Sequence, residues 1–163
     1  MPTRKPHRSF KPYCDYAFRI VWDGHAVAGI SHVSALRRTT DVVEYREGGS
    51  GVTHKLPGRT QYDAITLERG VTHDPDFEDW ARLVAGGTTP ALGKYRKELR
   101  IEVYDAAGRL ILAYTVHRAW PSEFVAIKEL ETRPERCLIQ SLTLQHEGWE
   151  RDTSVPKRPR RRR

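Results

Sequence analysis

The sequence is poor in cysteine, in long apolar runs and in the short motifs that mark enzymes, and each shortage removes a class of protein. Cys14 and Cys137 are the two cysteines, far apart and without a CxxC, so a zinc knuckle, a redox motif and a disulfide scaffold all lack their spacing. Two reduced, buried thiols are expected. No stretch nears the roughly 18 apolar residues that a membrane-spanning helix needs, and Arg4, Lys5 and Arg8 lead into mixed strand-like sequence, not an apolar signal core. The expectation is a soluble chain made in the cytoplasm, with no membrane insertion. GxSxG, HExxH, GxxxxGKS/T and strand-linked GxGxxG are all missing. Gly48 to Gly51 lacks the Lys-Thr pair and following helix of a phosphate loop, which leaves a flexible loop as its reading. The histidines are scattered. His25 and His32 have an odd separation and would point to opposite faces of a regular strand. Asp74, Asp76, Glu78 and Asp79 suit the positive start of a helix better than a metal, and Glu44 and Glu47 form no acid/base pair. Neither an enzyme nor a bound metal or cofactor is expected.

What is present fits one domain. At 163 residues, with 38% hydrophobic residues, four Trp, seven Tyr and four Phe, the chain can fill a single core, which excludes wholesale disorder. The net charge of +7 resides at the ends. Residues 1 to 11 and 156 to 163 hold 10 of the 28 Lys and Arg and none of the 21 Asp and Glu, so residues 12 to 155 carry 18 bases against 21 acids, a charge of −3. That arithmetic disfavours a folded DNA-binding surface. It predicts a mildly acidic domain between two basic, Pro-containing arms, mobile unless docked.

Along the chain, Tyr13 to Trp22 mixes aromatics and β-branched residues in alternating polarity, as a half-buried strand does. Tyr16 and Phe18 share a face that is expected to point at the core. Asp23-Gly24 supplies a hairpin turn, and His25 to Val33 returns as a second strand with a bulge at Gly29. Thr40 to Glu47 reads as a strand before the glycine-rich tip. Leu56-Pro57-Gly58 signals a tight turn, and Asp63 to Glu68 alternates again. One helix is predicted. Asp74 caps it, Pro75 fits its first position, Phe77, Trp80, Ala81 and Val84 form its apolar stripe, and Gly86-Gly87 ends it. Beyond Pro90 and Gly93, Lys97 to Tyr104 and Arg109 to Ala119 form a second hairpin around Asp105 to Gly108, which Trp120-Pro121 breaks. Ser122 to Pro134 carries no clear pattern, and Arg136 to His146 is the last strand. About seven strands and one helix make a mainly β protein, an antiparallel β-barrel or sandwich with one flanking α-helix.

A set of ordered motifs is specific. The strings EYREGGSG, HKLPG, ITLERG, DFEDW, RAWP and LTLQHEG, spread between Phe18 and Gly148, resemble the contractile-tail tube protein family of phages and phage-like injection systems. The resemblance implies a β-barrel-like core with a flanking helix, closing into a ring on oligomerisation. It further implies hexameric rings stacked into a hollow tube inside a contractile sheath, and no catalysis. The expected partners are copies of the same chain, the tail sheath protein, baseplate or tube-initiator proteins, a tape-measure protein, and DNA or protein cargo in transit. The expected place is a virion tail or injection-system particle, assembled in the host or producer bacterial cytoplasm. Two readings stay beside it: a tube-initiating baseplate component of the same fold, and a nucleic-acid-binding β-barrel. The second would call for aromatics and bases together on one strand face.

On this reading residues 1–12 are a basic flexible arm, 13–150 the tube domain and 151–163 a basic tail. Residues 42–59 form an extended inter-subunit arm, expected to order against a neighbouring ring through Tyr45, Arg46, Gly48, Gly49, Gly51, Leu56, Pro57, Gly58 and Arg59. The tail residues Lys157, Arg158, Arg160, Arg161, Arg162 and Arg163 call for an acidic partner. A sheath surface suits them better than the channel, where such density of charge would hold DNA and not let it pass.

Overall fold

The computed structural model describes residues 13–49, 51–86, 94–132 and 135–156. Expectations placed on residues 1–12 and 157–163, and on Ser50, Gly87, Pro90, Gly93, Arg133 and Pro134, lie outside the described residues, whereas Arg151, the first residue of the expected tail, belongs to the last strand. Among those described, the chain forms β1 (Tyr16–Trp22), β2 (His25–Val27), β3 (Ile30–Val33), β4 (Arg38–Arg46), β5 (Thr53–Tyr62), β6 (Ile65–Gly70), α1 (Asp76–Ala85), β7 (Lys97–Asp105), β8 (Leu110–Val125), β9 (Ile139–Gln145) and β10 (Gly148–Arg151). All pairings are antiparallel. The expected mainly β architecture with one helix is the observed one.

Two curved sheets share β8. Its first part pairs with β7 and β10 in a sheet ordered β2-β1-β7-β8-β10, and its last part pairs with β9 in a sheet ordered β8-β9-β6-β3. Trp120-Pro121 therefore does not break the strand. Arg118 takes φ 50° just before the change of partner, and the register slips between Pro121 and Glu123. A strand that bends in this way can pass from one sheet to the next. Pro121, lacking an N–H, is tolerated because β8 is an edge strand of the second sheet. On the opposite side the two sheets are joined by Ala28-Gly29, with Gly29 at φ 75°. The expected single strand from His25 to Val33 is thus two strands, β2 in one sheet and β3 in the other.

The core lies between the sheets. Ile20, Trp22, Leu99, Ile101 and Val116 face Ile65, Leu67, Leu142 and Leu144, and α1 inserts Phe77 and Trp80 among them. Trp22 meets both helix aromatics, with ring centroids 6.0 and 4.8 Å apart. Burying each large side chain contributes about 1.5 to 3 kcal/mol. At the helix start the N-cap position falls on Pro75 and not, as expected, on Asp74, and no side chain caps the helix there; Asp74 stands one residue further out, where its Oδ1 accepts from the Asp76 N–H at 2.9 Å in a local turn. Phe18 packs against the core, whereas Tyr16, the first residue of β1, paired with Asp105 at the end of β7, is exposed, against expectation. Both cysteines are exposed, against expectation: each precedes a strand and neither joins a buried face.

Candidate assembly surface

Among the described residues, β4 and β5 pair only with each other and form a hairpin that projects from the end of β3 and β6. All nine residues of β4 are exposed. Alternation places Val43 opposite Leu56 and Tyr45 opposite His54 on one face, and Val42 opposite Pro57 on the other. Val42, Val43, Tyr45 and Leu56 are between 48% and 64% exposed. Pro57-Gly58 is not the expected tight turn but lies inside β5 at a break in register opposite Thr40 to Val42. Gly58 leaves the two strands room to close there, since a Cβ would lie tightly at 3.1 Å from Val43 Cγ2 and 3.2 Å from the Asp41 carbonyl. Arg46 Nε donates to Thr53 Oγ1 at 2.8 Å and closes the outer end, beyond which Gly48 and Gly49 turn the chain. Arg59 is an exposed member of β5. The structure so gathers Tyr45, Arg46, Gly48, Gly49, Gly51, Leu56, Pro57, Gly58 and Arg59 on one projection, while Lys157 to Arg163 lie outside the described residues.

The root of the arm escaped the sequence reading. Tyr62 sits against His146 and Trp149 at 5.8 and 6.3 Å, and Arg38 stacks over Trp149 at 5.7 Å. His146 Nε2 donates to the Asp63 carbonyl at 2.8 Å, and its Nδ1 accepts from the Gly148 N–H at 3.2 Å. Gly148 has φ 139°, and a Cβ on it would lie 3.2 Å from the Tyr62 ring. The glycine in LTLQHEG thus exists so that the arm's root can lie on the strand below it.

Arg69 is the other residue missed. Its side chain is fully enclosed, donating to the Asp74 carbonyl at 2.7 Å and the Ala28 carbonyl at 3.4 Å, with its guanidinium 4.2 Å from the Phe77 ring. With the Gln140 amide turned so that its oxygen faces the arginine, it also accepts from Nε at 2.6 Å. Burial pulls the Arg69 pKa down, opposed by Asp74 and Asp76. One side chain thus ties β6, the β2–β3 link, the helix start and β9. The signal was available: alternation through Ile65 and Leu67 puts Arg69 on the buried face.

The outer face of the first sheet carries paired charges. Glu102 accepts from Tyr104 at 2.5 Å, Arg19 at 2.7 Å and Arg100 at 3.0 Å; burial pushes its carboxyl up, and these three bonds together hold it below the usual range. Asp152 is held down to about 2 by the Ser154 hydroxyl and N–H and then by Arg100. His117 lies between Glu98 at 2.8 Å and Glu150 at 2.6 Å; burial lowers its pKa, but the two carboxylates outweigh that and raise it. His25, on β2, is raised by its bond to Asp76 at 3.0 Å. Among the described residues no group of three His, Cys, Asp or Glu could hold a metal ion, and no helix is long and apolar enough to cross a membrane.

This build, a two-sheet barrel with a lidding helix and a projecting hairpin, is a known one. Residues 15–150 match the family of T4-like virus tail tube protein gp19. The chain belongs to that family. Among solved structures, it is similar to a chain of the anti-feeding prophage cap, the tube-terminating cap, at TM-score 0.74 and 22% identity, covering 89% of this chain and 93% of that one. A chain of the anti-feeding prophage baseplate matches at 0.68 and 20%, covering 87% and 96%. A chain of the sheath–tube complex of the extracellular contractile injection system PVC, in its extended state, matches at 0.72 and 24%, covering 86% and 91%. At these identities the likeness is one of fold. A search of the curated proteins found no match. The family and its structural neighbours are structural parts of phage-tail-like particles.

Proposed function

We propose that this gp19-family chain is a non-catalytic structural subunit of the hollow inner tube of a contractile tail or injection system, forming hexameric rings that stack and conduct DNA or protein cargo. The observation that carries this is the projecting β4–β5 arm, whose apolar residues its own chain leaves exposed. Exposed apolar patches of this kind mark protein contacts. The sheets support ring closure. Among the described residues, β2 covers only Ile20 to Trp22 of β1 in the first sheet, so Tyr16 to Arg19 and β10 are open edges; in the second, β3 and the end of β8 are. Within each sheet these edges run in opposite directions, so a second copy can join antiparallel and satisfy backbone groups otherwise left to water. The sheath is the proposed partner of the basic tail, and the baseplate and a tape-measure protein those of the tube ends and lumen.

Native mass measurement and negative-stain imaging test the proposal. Mass near six subunits and stacked rings are expected; a stable monomer at micromolar concentration would sink it. The likeness to a baseplate chain favours one second reading, a tube-initiating subunit, for which rings would form and never stack. A monomer that shifts DNA would point to the nucleic-acid-binding barrel.

A further inference from the structure

The second sheet has two exposed apolar ends. The arm leaves it where Ile65 pairs with Leu144. At the other end, where Gly70 pairs with Ile139, Val71 and Leu138 are exposed next to each other, and Ile127 and Leu130 are exposed on either side of Lys128 and Glu129 in the segment that bonds back to Ile139. These four are 40% to 72% exposed. The patch is held in place: Val71 N–H donates to the Leu138 carbonyl at 2.8 Å and Lys128 N–H to the Ile139 carbonyl at 2.9 Å. The Lys128 ammonium pairs with Glu68, and Arg136 reaches Glu131 at 3.1 Å and Glu129 at 3.7 Å. A preorganised apolar surface loses little freedom on binding.

We infer that this foot receives the arm of a second copy of the chain in the next ring, with Val43, Tyr45 and Leu56 lying on Val71, Ile127, Leu130 and Leu138. The inference rests on the tube reading and names the surface that the arm meets. Donor and acceptor are different surfaces at opposite ends of one sheet, which is the arrangement that propagates head to tail without closing. Reach allows it. The nine-residue β4 spans about 30 Å, against about 20 Å for the six-residue β6 that separates the ends of the sheet. The contact is apolar, so stacking through it resists salt, unlike contacts made by the basic tail.

Native Cys137 is exposed next to Leu138 and serves as one half of a cross-link. In a Cys14→Ser background, Tyr45→Cys and, separately, Leu56→Cys are assembled and oxidised. Because a disulfide needs Cα atoms within about 7 Å, a ladder of covalent oligomers from tubes with either variant, lost on adding Cys137→Ser, is the expected result. The variant Ile127→Glu with Leu130→Glu should keep its fold and ring mass, yet lose at least about tenfold in sedimentable tube at both low and high salt. Normal tubes from that variant, or well-formed tubes with no ladder from either arm cysteine, overturn the inference and leave the tube reading standing. Normal tubes that no longer hold sheath would assign the foot to the sheath, and loss of the rings themselves would assign it to contacts within a ring. Either outcome overturns the inference. Wild-type protein that never forms rings overturns the tube reading and this inference with it.

Discussion

β6 and β4 both mix apolar with polar residues and meet opposite fates. In β6, Ile65, Leu67 and Arg69 are buried and their neighbours half-buried. In β4, Val42, Val43 and Tyr45 are exposed along with every other residue of the strand. The barrel buries its stripe against a facing sheet and a helix; the arm has only its hairpin partner, and an isolated two-stranded hairpin is marginal in water. Stability of the chain therefore resides in the barrel, and the arm leaves its apolar residues exposed, which is the surface that the proposed tube would use.

Mutations that separate the two regions test this comparison, ranked by their effect on subunit stability. Trp80→Ala removes an aromatic buried against Trp22 and the hydrogen bond from its indole to the Tyr95 carbonyl. It should destabilise by about 3 to 5 kcal/mol in denaturant unfolding. A loss under 1 kcal/mol would show that α1 is not part of the cooperative core. Gly148→Ala, at the junction of arm and barrel, meets both φ 139° and the Tyr62 ring. A loss of about 1 to 3 kcal/mol is expected, together with faster proteolysis of the arm; unchanged proteolysis would mean that Tyr62 does not seat the arm.

The His25–Asp76 bond lies at the barrel's helix and brings a pH dependence. Because His25 binds its proton more tightly folded than unfolded, its contribution is fully present below about pH 6.5 and declines as pH rises through the higher folded value. His25→Ala should lower the melting temperature more at pH 5.5 than at pH 9, and equal shifts at both would remove the pair from the stability account. Shortening the Gly48 to Gly51 tip should leave the melting temperature unchanged and impair stacking, and tubes of normal length from that variant would detach the arm from assembly. Least of all should removal of Lys157 to Arg163 affect folding. Co-sedimentation with sheath should show weaker binding by the truncated tubes, with the difference between the two proteins shrinking as salt rises; equal binding at low salt would move the tail's partner to the lumen.

The local signals were legible wherever neighbours in sequence decide the outcome. The hairpin at Asp23-Gly24, the acidic start of α1 and the alternation of β6 and β7 all follow from residues a few positions apart. That residues 42–59 project was legible too, from the glycines and from the strings EYREGGSG and HKLPG, and the structure makes the projection a two-stranded hairpin. Trp120-Pro121 and Pro57-Gly58 were misread, because a proline's effect depends on which side of the strand carries a partner, and that is a property of the sheet.

By itself, the sequence determined a mainly β chain with one amphipathic helix, basic ends and a glycine-tipped arm, since period, turn chemistry and charge act over short range. Only the tertiary structure decided that β8 serves two sheets, that Arg69 ties four elements together inside the barrel, and that Tyr62 rests on Gly148. These outcomes depend on close packing between residues distant in the chain, and periodicity within a strand says which face a side chain takes but not what it will meet there.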